Sequence, residues 1–160
     1  MPDTLYDTDP HAWAMQEADK LRGVARLHPK LGLDFPHLIE ELDGMAGADR
    51  QRVESLAGAV MQHLLLLEHS PAKDPRRHWQ SEVVDYRTRL RRALTGTLTN
   101  HLVERMDAVF DDAREAVRLK MAFYGEDDAA KGLPTARPYT FEQLLDRHWW
   151  PPAPGAQPQS

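Results

Sequence analysis

Apolar residues recur at the spacing of an α-helix through most of this 160-residue chain. No segment alternates for long between apolar and polar residues, which is the pattern of a half-buried strand. A chain of this length can bury about 70% of its extended surface around one core. The pattern therefore predicts an all-α fold, and the simplest architecture is an antiparallel helical bundle with short connections.

Start and stop signals place the first two of four main helices. The first begins with Asp9 as its N-cap and Pro10 at its first position. The second begins at Asp34 and ends before the two prolines of "SPAKDP", residues 70–75. A helical wheel puts one apolar row on the inward side of the second helix: Leu38, Leu42, Val53, Leu56, Val60, Leu64 and Leu67.

The remaining helices follow from the same signals. The third is predicted from Pro75 to about Leu94, and the fourth from about Asn100 to Met121, with "TGTLTN" breaking the chain between them. A short fifth helix opens with the capping box "TFEQ" at residues 140–143. Residues 1–150 are therefore predicted to form a single helical domain, and the proline-rich tail at residues 151–160 is predicted to be disordered.

The stretch "LIEELDGMAGADRQRVE", residues 38–54, interrupts its helical pattern with two glycines. In an unbroken helix Asp49 would lie in the middle of the apolar row, where an unpaired carboxylate is costly. Interior glycines cost about 1 kcal/mol each relative to alanine. We therefore expect a break or kink at Gly44–Ala48, with Asp49 as a new N-cap; the alternative is an ion pair of Asp49 with Arg50 or Arg52. The sequence leaves open whether residues 34–70 form one kinked helix or two.

Composition narrows the function classes. The chain has no cysteine, which excludes disulfides and thiolate metal sites. Its net charge of −5 and pI of about 5.9 argue against nucleic acid or an anionic membrane as a partner. The longest apolar run, "LLLL", is far too short to span a membrane. The N-terminus has no secretory signal, so a cytoplasmic protein is expected.

Five local patterns occur in an order that is found in a known family. They are "LYDTDPHAW" at 5–13, "LIEELDGM" at 38–45, "MQHLLLL" at 61–67, "HW" at 78–79 before an arginine-rich helix, and "PYTFEQLLD" at 138–146. Together they resemble the bacterial family catalogued as domain of unknown function 29, over residues 5 to about 150. The resemblance implies a small all-helical bacterial protein. It implies no activity and supplies no catalytic residue.

Two acidic motifs suggest a magnesium-dependent enzyme. All-α nucleotide pyrophosphohydrolases hold Mg²⁺ with paired glutamates on one helix and an ExxD motif on another, and oxygen ligands suit this ion. The chain has Glu40 and Glu41 in "EELD", and Glu104 and Asp107 in "ERMD". Against this hypothesis, a whole helix separates the two motifs and ExxD is common on charged helices. On the helical wheel Glu40 points away from the apolar row, whereas Glu41 lies at its edge.

Three histidines, His63, His69 and His78, lie near the turn between the second and third helices. Imidazoles close together can bind zinc or nickel, but these spacings match no known metal motif. If the two helices pair about residues 72–73, His63 lies opposite Glu82. We therefore expect a hydrogen bond between His63 and Glu82 at the edge of the core rather than a metal site or a general base.

The third helix is basic, with seven lysines and arginines against three acidic residues between positions 73 and 92. One hypothesis is a phosphate- or RNA-binding face formed by Arg87, Arg89, Arg91 and Arg92. The acidic total and the absence of interleaved aromatic residues argue against nucleic acid. The alternative is that these charges are solvated and complement the acidic fourth helix, each exposed pair contributing little.

The adjacent tryptophans Trp149 and Trp150 either clamp the C-terminal segment onto the helices or form a patch for a protein partner or a second copy of the chain. We expect the clamp. No coherent catalytic constellation emerges, so the leading hypothesis is a non-catalytic interaction module without a cofactor, and Mg²⁺ enters only under the enzyme alternative. The candidate catalytic residues are Glu41, His63, Glu82, Glu104 and Asp107; the phosphate-binding candidates are Arg87, Arg89, Arg91 and Arg92; no metal ligand is predicted.

Overall fold

The computed structural model of the chain describes residues 2–154. The helices are α1 (Leu5–Thr8), α2 (Pro10–Leu27), α3 (Phe35–His69), α4 (Arg76–Ala93), α5 (Gly96–Phe123), α6 (Asp127–Ala130) and α7 (Phe141–Leu145). No strand occurs within residues 2–154, so the predicted all-α class is confirmed. The antiparallel bundle remains a prediction. Most of the tail predicted to be disordered, residues 155–160, lies outside the described residues.

Several predicted helix boundaries are confirmed. They could be predicted because they depend on contacts between neighbours along the chain. Asp9 caps α2 by accepting a hydrogen bond from the Ala12 backbone N at 3.0 Å. The bounds of α4 lie within one residue of the prediction at each end. At α7 the capping box is formed: Thr140 Oγ1 accepts from the Gln143 backbone N, and Gln143 Oε1 accepts from the Thr140 backbone N, both at 3.1 Å.

The start of α5 was predicted wrongly, because the helix begins at Gly96 rather than near Asn100. Thr95 Oγ1 accepts a hydrogen bond from the Leu98 backbone N at 3.3 Å. Asp9 accepts a second one from the Thr97 backbone N at 2.9 Å. Two of the backbone donors in the first helical turn are thereby satisfied, and "TGTLTN" forms that turn instead of breaking the chain.

The predicted helix break at Gly44–Ala48 is also wrong, because α3 is continuous over 35 residues. Asp49 is therefore not an N-cap. It is half-buried near His11, whose pKa it acts to raise. The alternative ion pair of Asp49 with Arg50 or Arg52 is not formed either, since neither pair approaches within 4 Å in the described part of the chain. The helix continues despite the free-energy cost of its two interior glycines. The Asp49 carboxylate lies in a polar setting, which the helical wheel could not show.

The chain divides into two compact units. Unit 1 comprises the described residues of Met1–Val53 together with Ala93–Leu102, and unit 2 those of Glu54–Arg92 together with Val103–Ser160. As a result, α3 and α5 each contribute one part to each unit. Within residues 2–154, no helix is both long enough and apolar enough to cross a membrane.

Large apolar side chains are buried in both units, but α2 brings only small apolar ones. In unit 2 the large buried side chains include Met61, Leu64, Leu65, Val83, Leu90, Met106, Phe110, Val117, Met121, Tyr139 and Leu144, and in unit 1 they are Phe35, Val53, Leu98 and Leu102. The buried residues that α2 brings to unit 1 are His11 and three alanines, Ala12, Ala14 and Ala18. Ala46 of α3 is buried as well. Small side chains bury less apolar area each, so this part of unit 1 depends more on polar contacts.

Candidate functional site

A partly buried polar cluster in unit 1 joins the start of α2 to the start of α5. We call Asp9, His11, Arg50 and Thr97 the Asp9 cluster. The Asp9 carboxylate accepts hydrogen bonds from the Thr97 backbone N at 2.9 Å and from Thr97 Oγ1 at 2.8 Å, in addition to capping α2. Asp9 and His11 are both buried, so these hydrogen bonds replace those that water makes in the unfolded chain.

The direction of each hydrogen bond shows which nitrogen of His11 carries the proton. Thr97 Oγ1 donates to Asp9, so it accepts from His11 Nδ1–H at 2.8 Å. Arg50 Nη1 donates to His11 Nε2 at 3.2 Å, which requires a lone pair on that nitrogen. His11 is therefore neutral, and both ring nitrogens are engaged. The cluster fixes the ends of two helices, and its imidazole is already committed on both sides.

Burial and charge set the pKa values in this cluster. Burial lowers the pKa of His11, and the positive charge of Arg50 lowers it further. For Asp9, burial acts to raise the pKa, but the hydrogen bonds from Thr97 and Ala12 together hold it below the ordinary value. The folded state thus favours a neutral His11 beside an ionised Asp9.

Acidification is expected to destabilise the protein through His11. Because its pKa is lowered in the folded state, the unfolded chain binds a proton first as the pH falls below about 6.5. His63 acts in the same sense, since burial lowers its pKa too. The free energy of unfolding should therefore fall from about pH 7 towards pH 5, with uptake of up to about one proton per histidine on unfolding. Urea denaturation at a series of pH values measures this slope.

Single substitutions assign the slope to its histidines. His11→Gln and His63→Gln should each reduce it. His37 acts in the opposite sense, because its hydrogen bond with Asp34 raises its pKa. Its contribution is present below about pH 6.5 and is lost at higher pH. An undiminished slope in His11→Gln would contradict the assignment.

The hydrogen bond predicted between His63 and Glu82 is not formed. His63 Nδ1 donates instead to the Ala59 carbonyl oxygen at 2.7 Å, one helical turn earlier in α3. The His63 ring lies 5.5 Å from the ring of Tyr86. Burial raises the pKa of Tyr86, and a hydrogen bond to Glu82 raises it further. The prediction failed because a carbonyl of the same helix was within closer reach of His63 than the facing carboxylate.

The carboxylates of the magnesium hypothesis do not come together as a group. Glu40 and Glu41 belong to unit 1, Glu104 and Asp107 to unit 2, and all four are exposed. The Asp107 carboxylate is bound by Arg137 Nε at 2.8 Å. Among residues 2–154, no three acidic or histidine side chains lie close enough together to hold a metal ion.

Arg87, a candidate for phosphate binding, is fully buried in unit 2. Its guanidinium donates to three main-chain carbonyls: Nε to Leu144 at 3.0 Å, Nη2 to Gln143 at 2.9 Å and Nη1 to Trp149 at 2.9 Å. Burial lowers the pKa of Arg87, and Asp146 opposes this effect. Arg87 was therefore wrong as a phosphate-binding candidate, because its donors already hold the C-terminal segment.

The other three arginines of that hypothesis have different surroundings. Arg91 Nη1 donates to the Leu145 carbonyl at 3.3 Å. The Arg89 guanidinium lies 5.8 Å from the centre of the Tyr86 ring. Arg89, Arg91 and Arg92 are exposed, so the basic surface of α4 is formed without Arg87.

The two C-terminal tryptophans clamp their segment, as predicted. Trp149 packs edge-on to Tyr139 with ring centres 5.9 Å apart, and Trp150 lies over the Arg87 guanidinium at 5.3 Å. The buried Tyr139 hydroxyl donates to Glu68 Oε2 at 3.1 Å, and burial raises its pKa. We call Arg87 and residues 143–150 the Arg87 clamp.

The sequence-based predictions missed most of these polar contacts. His11 and Thr97 are 86 positions apart, and no local pattern connects them. Arg87 did carry a signal: it lies four residues after Val83 and three before Leu90, on the inward side of α4. A charged residue on that side indicates a buried charge that needs partners rather than a surface ligand site.

The segment that joins α2 to α3 in unit 1 leaves large apolar side chains exposed. We call residues 19–45 the hairpin arm; an ion pair between Arg22 and Asp43 links its two helices. Within residues 19–45 the only buried residue is Phe35. Leu27 is 72% exposed and Leu31 is 57% exposed, and the two line one shallow depression.

A second exposed apolar row lies on α3 within the hairpin arm. Leu38 and Met45, both exposed, are seven residues apart and therefore about 20° from each other around the helix axis. The half-buried Leu42 lies between them. Leu38 was predicted to face inward, and this prediction was wrong. The ion pair between Arg22 and Asp43 ties this part of α3 to α2, and a neighbour on one side of a helix leaves its other side exposed.

Comparison with known proteins places the chain without assigning it an activity. The family model described as the domain of unknown function DUF29 matches residues 5–150. Among solved structures, the chain is similar to an alpha-helical protein of unknown function from Rhodospirillum rubrum, with a TM-score of 0.77 and 23% sequence identity over 92% of each chain. At this identity the likeness supports the fold alone. No curated protein matches the chain.

Proposed function

The chain belongs to the DUF29 family, and because that family is described only as a domain of unknown function, we propose from the geometry that this protein is a non-catalytic interaction module. Its docking element is the hairpin arm, which binds a protein partner. The observation that carries this proposal is the exposed apolar surface of residues 19–45, where only Phe35 is buried.

The position of these apolar side chains supports docking. Single exposed apolar residues are ordinary on protein surfaces, but apolar side chains grouped within one segment are typical of interaction surfaces. Leu27, Leu31 and Leu33 are all more than half exposed in the connection between α2 and α3 and its flank. Leu38 and Met45 add two exposed apolar side chains on α3 in the same segment. A partner that covered them would remove this apolar area from water, which favours association.

Site-specific photo-cross-linking tests this function. A photoreactive amino acid placed at Leu31 in the full chain is expected to yield a discrete covalent adduct in the cells that make the protein. The matched control is Val84 on α4, which is similarly exposed at 49%. The adduct is then identified by mass, and its partner is purified for a direct binding measurement.

Binding to the purified partner should be lost in Leu31→Glu and retained in Val84→Glu. A glutamate at either position is exposed and should change the free energy of unfolding by no more than about 0.5 kcal/mol. Equal adducts at Leu31 and Val84, or equal binding by the two glutamate variants, would exclude the hairpin arm as the docking element.

A further inference from the structure

The hairpin arm carries two short stretches of opposite charge. Residues 20–30, at the end of α2 and in the following loop, contain four basic residues and no acidic one: Lys20, Arg22, Arg26 and Lys30. Residues 34–43, at the start of α3, contain four acidic residues and no lysine or arginine: Asp34, Glu40, Glu41 and Asp43. We call these the basic stretch and the acidic stretch. They are neighbours, since Arg22 pairs with Asp43.

Contacts within the chain leave half of these charges without an ion pair. Arg22 also bonds Asp19 at 2.8 Å, Lys20 bonds Glu17 at 3.1 Å, and Asp34 is taken by His37 at 2.6 Å. By contrast, the side chains of two basic and two acidic residues make neither an ion pair nor a hydrogen bond within residues 2–154: Arg26, Lys30, Glu40 and Glu41. The attraction between the two helices of one arm therefore does not account for them.

We propose that the hairpin arm docks onto the hairpin arm of a second copy of this chain, related to the first by a two-fold axis. This inference rests on the proposed function and names its partner. Arg26 and Lys30 of each copy lie against Glu40 and Glu41 of the other. The exposed leucines at the connection between α2 and α3, Leu27, Leu31 and Leu33, meet between these contacts and are removed from water.

The charge pattern favours a second copy over an unrelated partner. In a two-fold interface the same patch faces itself, so the patch must be complementary to itself. A surface with a basic stretch beside an acidic stretch satisfies this condition, because turning one copy by 180° sets opposite charges against each other. A partner of one charge sign would be attracted by one stretch and repelled by the other. The apolar residues provide association energy, and the charges set its orientation.

Charge reversal in the full-length protein tests this arrangement. One variant reverses the acidic stretch, with Glu40→Lys and Glu41→Lys. The other variant reverses the basic stretch, with Arg26→Glu and Lys30→Glu. Sedimentation equilibrium from about 1 µM to about 500 µM, at about 0.05 M salt where screening is weak, gives the dissociation constant of the dimer. The wild type is expected to approach twice the 18.3 kDa mass of the chain.

For each variant alone, the dissociation constant of the dimer should rise at least about tenfold, because like charges then face each other in both contacts. An equimolar mixture of the two variants should recover the dimer, since each contact again joins opposite charges. The matched control, Asp111→Lys with Asp112→Lys, makes the same charge change at two exposed neighbours on α5 in unit 2. It should dimerise like the wild type. Circular dichroism melting confirms that each variant folds.

Three outcomes would overturn the inference: a wild type that stays monomeric over the whole range, a dimer that is unaffected by either reversal, or a mixture that does not recover. The proposed function is judged separately by the cross-linked adduct at Leu31. An adduct whose mass differs from two copies of the chain, together with a monomeric wild type, keeps the interaction module and excludes the second copy. An adduct with the mass of two copies, together with recovery of the dimer in the mixture, supports both the interaction module and the second copy as its partner.

Discussion

Replacing Arg87 with methionine is expected to lower the free energy of unfolding by about 3–5 kcal/mol. Methionine keeps a long unbranched side chain but removes the donors that bind the carbonyls of Gln143, Leu144 and Trp149. A buried acceptor left without a partner costs about 1–3 kcal/mol; the contact to Leu144 is buried and the other two are partly buried, so the three costs need not add. Urea denaturation followed by circular dichroism measures the change.

A second readout locates this loss in the Arg87 clamp. Release of residues 143–150 should speed cleavage by trypsin after Arg147 under conditions where the rest of the protein stays folded. Arg87→Lys keeps the charge but presents it as a compact ammonium that cannot match the planar fork of the guanidinium, so an intermediate loss is expected.

The matched control is Arg89→Met, two residues along the same helix. Arg89 is exposed and its guanidinium contacts one aromatic ring, so its loss should cost no more than about 1 kcal/mol. Equal losses in Arg87→Met and Arg89→Met would contradict the clamp.

The elements that could be predicted from the sequence are those decided by neighbours along the chain. Asp9 caps α2 through Ala12, three residues ahead, and Thr140 caps α7 through Gln143 at the same spacing. Contacts of this range repeat in fixed patterns because the geometry of a helical first turn is always the same. The periodicity of apolar residues similarly predicts which segments are helical, since it reflects 3.6 residues per turn.

The failures concern positions where a distant residue decides. Glycine weakens a helix locally, so a break at Gly44–Ala48 was a reasonable prediction, but α3 continues there with Ala46 buried and Asp49 near His11. Leu38 followed the apolar period and is still exposed, because periodicity cannot tell whether a neighbouring helix is present to cover a given side. Tertiary contacts outweigh a preference of about 1 kcal/mol per residue.

The candidate site shows the same division. From sequence, Asp9 could be assigned as a helix cap, but its second role as acceptor for Thr97 could not, since the two are 88 positions apart. The basic helix suggested a ligand site, whereas Arg87 binds main-chain carbonyls that carry no side-chain signal. Carbonyl oxygens at the end of a short helix form an electronegative site that any sequence with the right backbone provides.

Replacing Asp9 with alanine is expected to lower the free energy of unfolding by about 2–4 kcal/mol. Loss of an N-cap alone costs about 0.5–2 kcal/mol. Asp9 also accepts two hydrogen bonds from Thr97, and hydrogen bonds to a charged group contribute about 1.5–3 kcal/mol. The variant should therefore lose more than a cap, and it should leave the half-buried Thr97 hydroxyl and the neutral His11 without their common anchor.

Asp34→Ala separates these two contributions. Asp34 lies at the start of α3 and is exposed; within residues 2–154 its side-chain hydrogen bonds are with the backbone and ring of His37. Its loss should therefore lower the free energy of unfolding by clearly less than the loss of Asp9 does. A double-mutant cycle of Asp9→Ala with Thr97→Val measures the tertiary contact made through the Thr97 hydroxyl, and its coupling energy should exceed about 1 kcal/mol; the contact from the Thr97 backbone N stays in Thr97→Val.

The loss of stability in Asp9→Ala should also depend on pH. The pKa of Asp9 is lowered in the folded state, so its stabilisation is present above about pH 3.9 and is lost as the pH falls through the folded pKa. The difference between wild type and Asp9→Ala should therefore be constant near pH 7 and shrink in acid. Equal losses in Asp9→Ala and Asp34→Ala at pH 7 would mean that Asp9 is only a cap, and that α2 and α5 are held together by their apolar contacts alone.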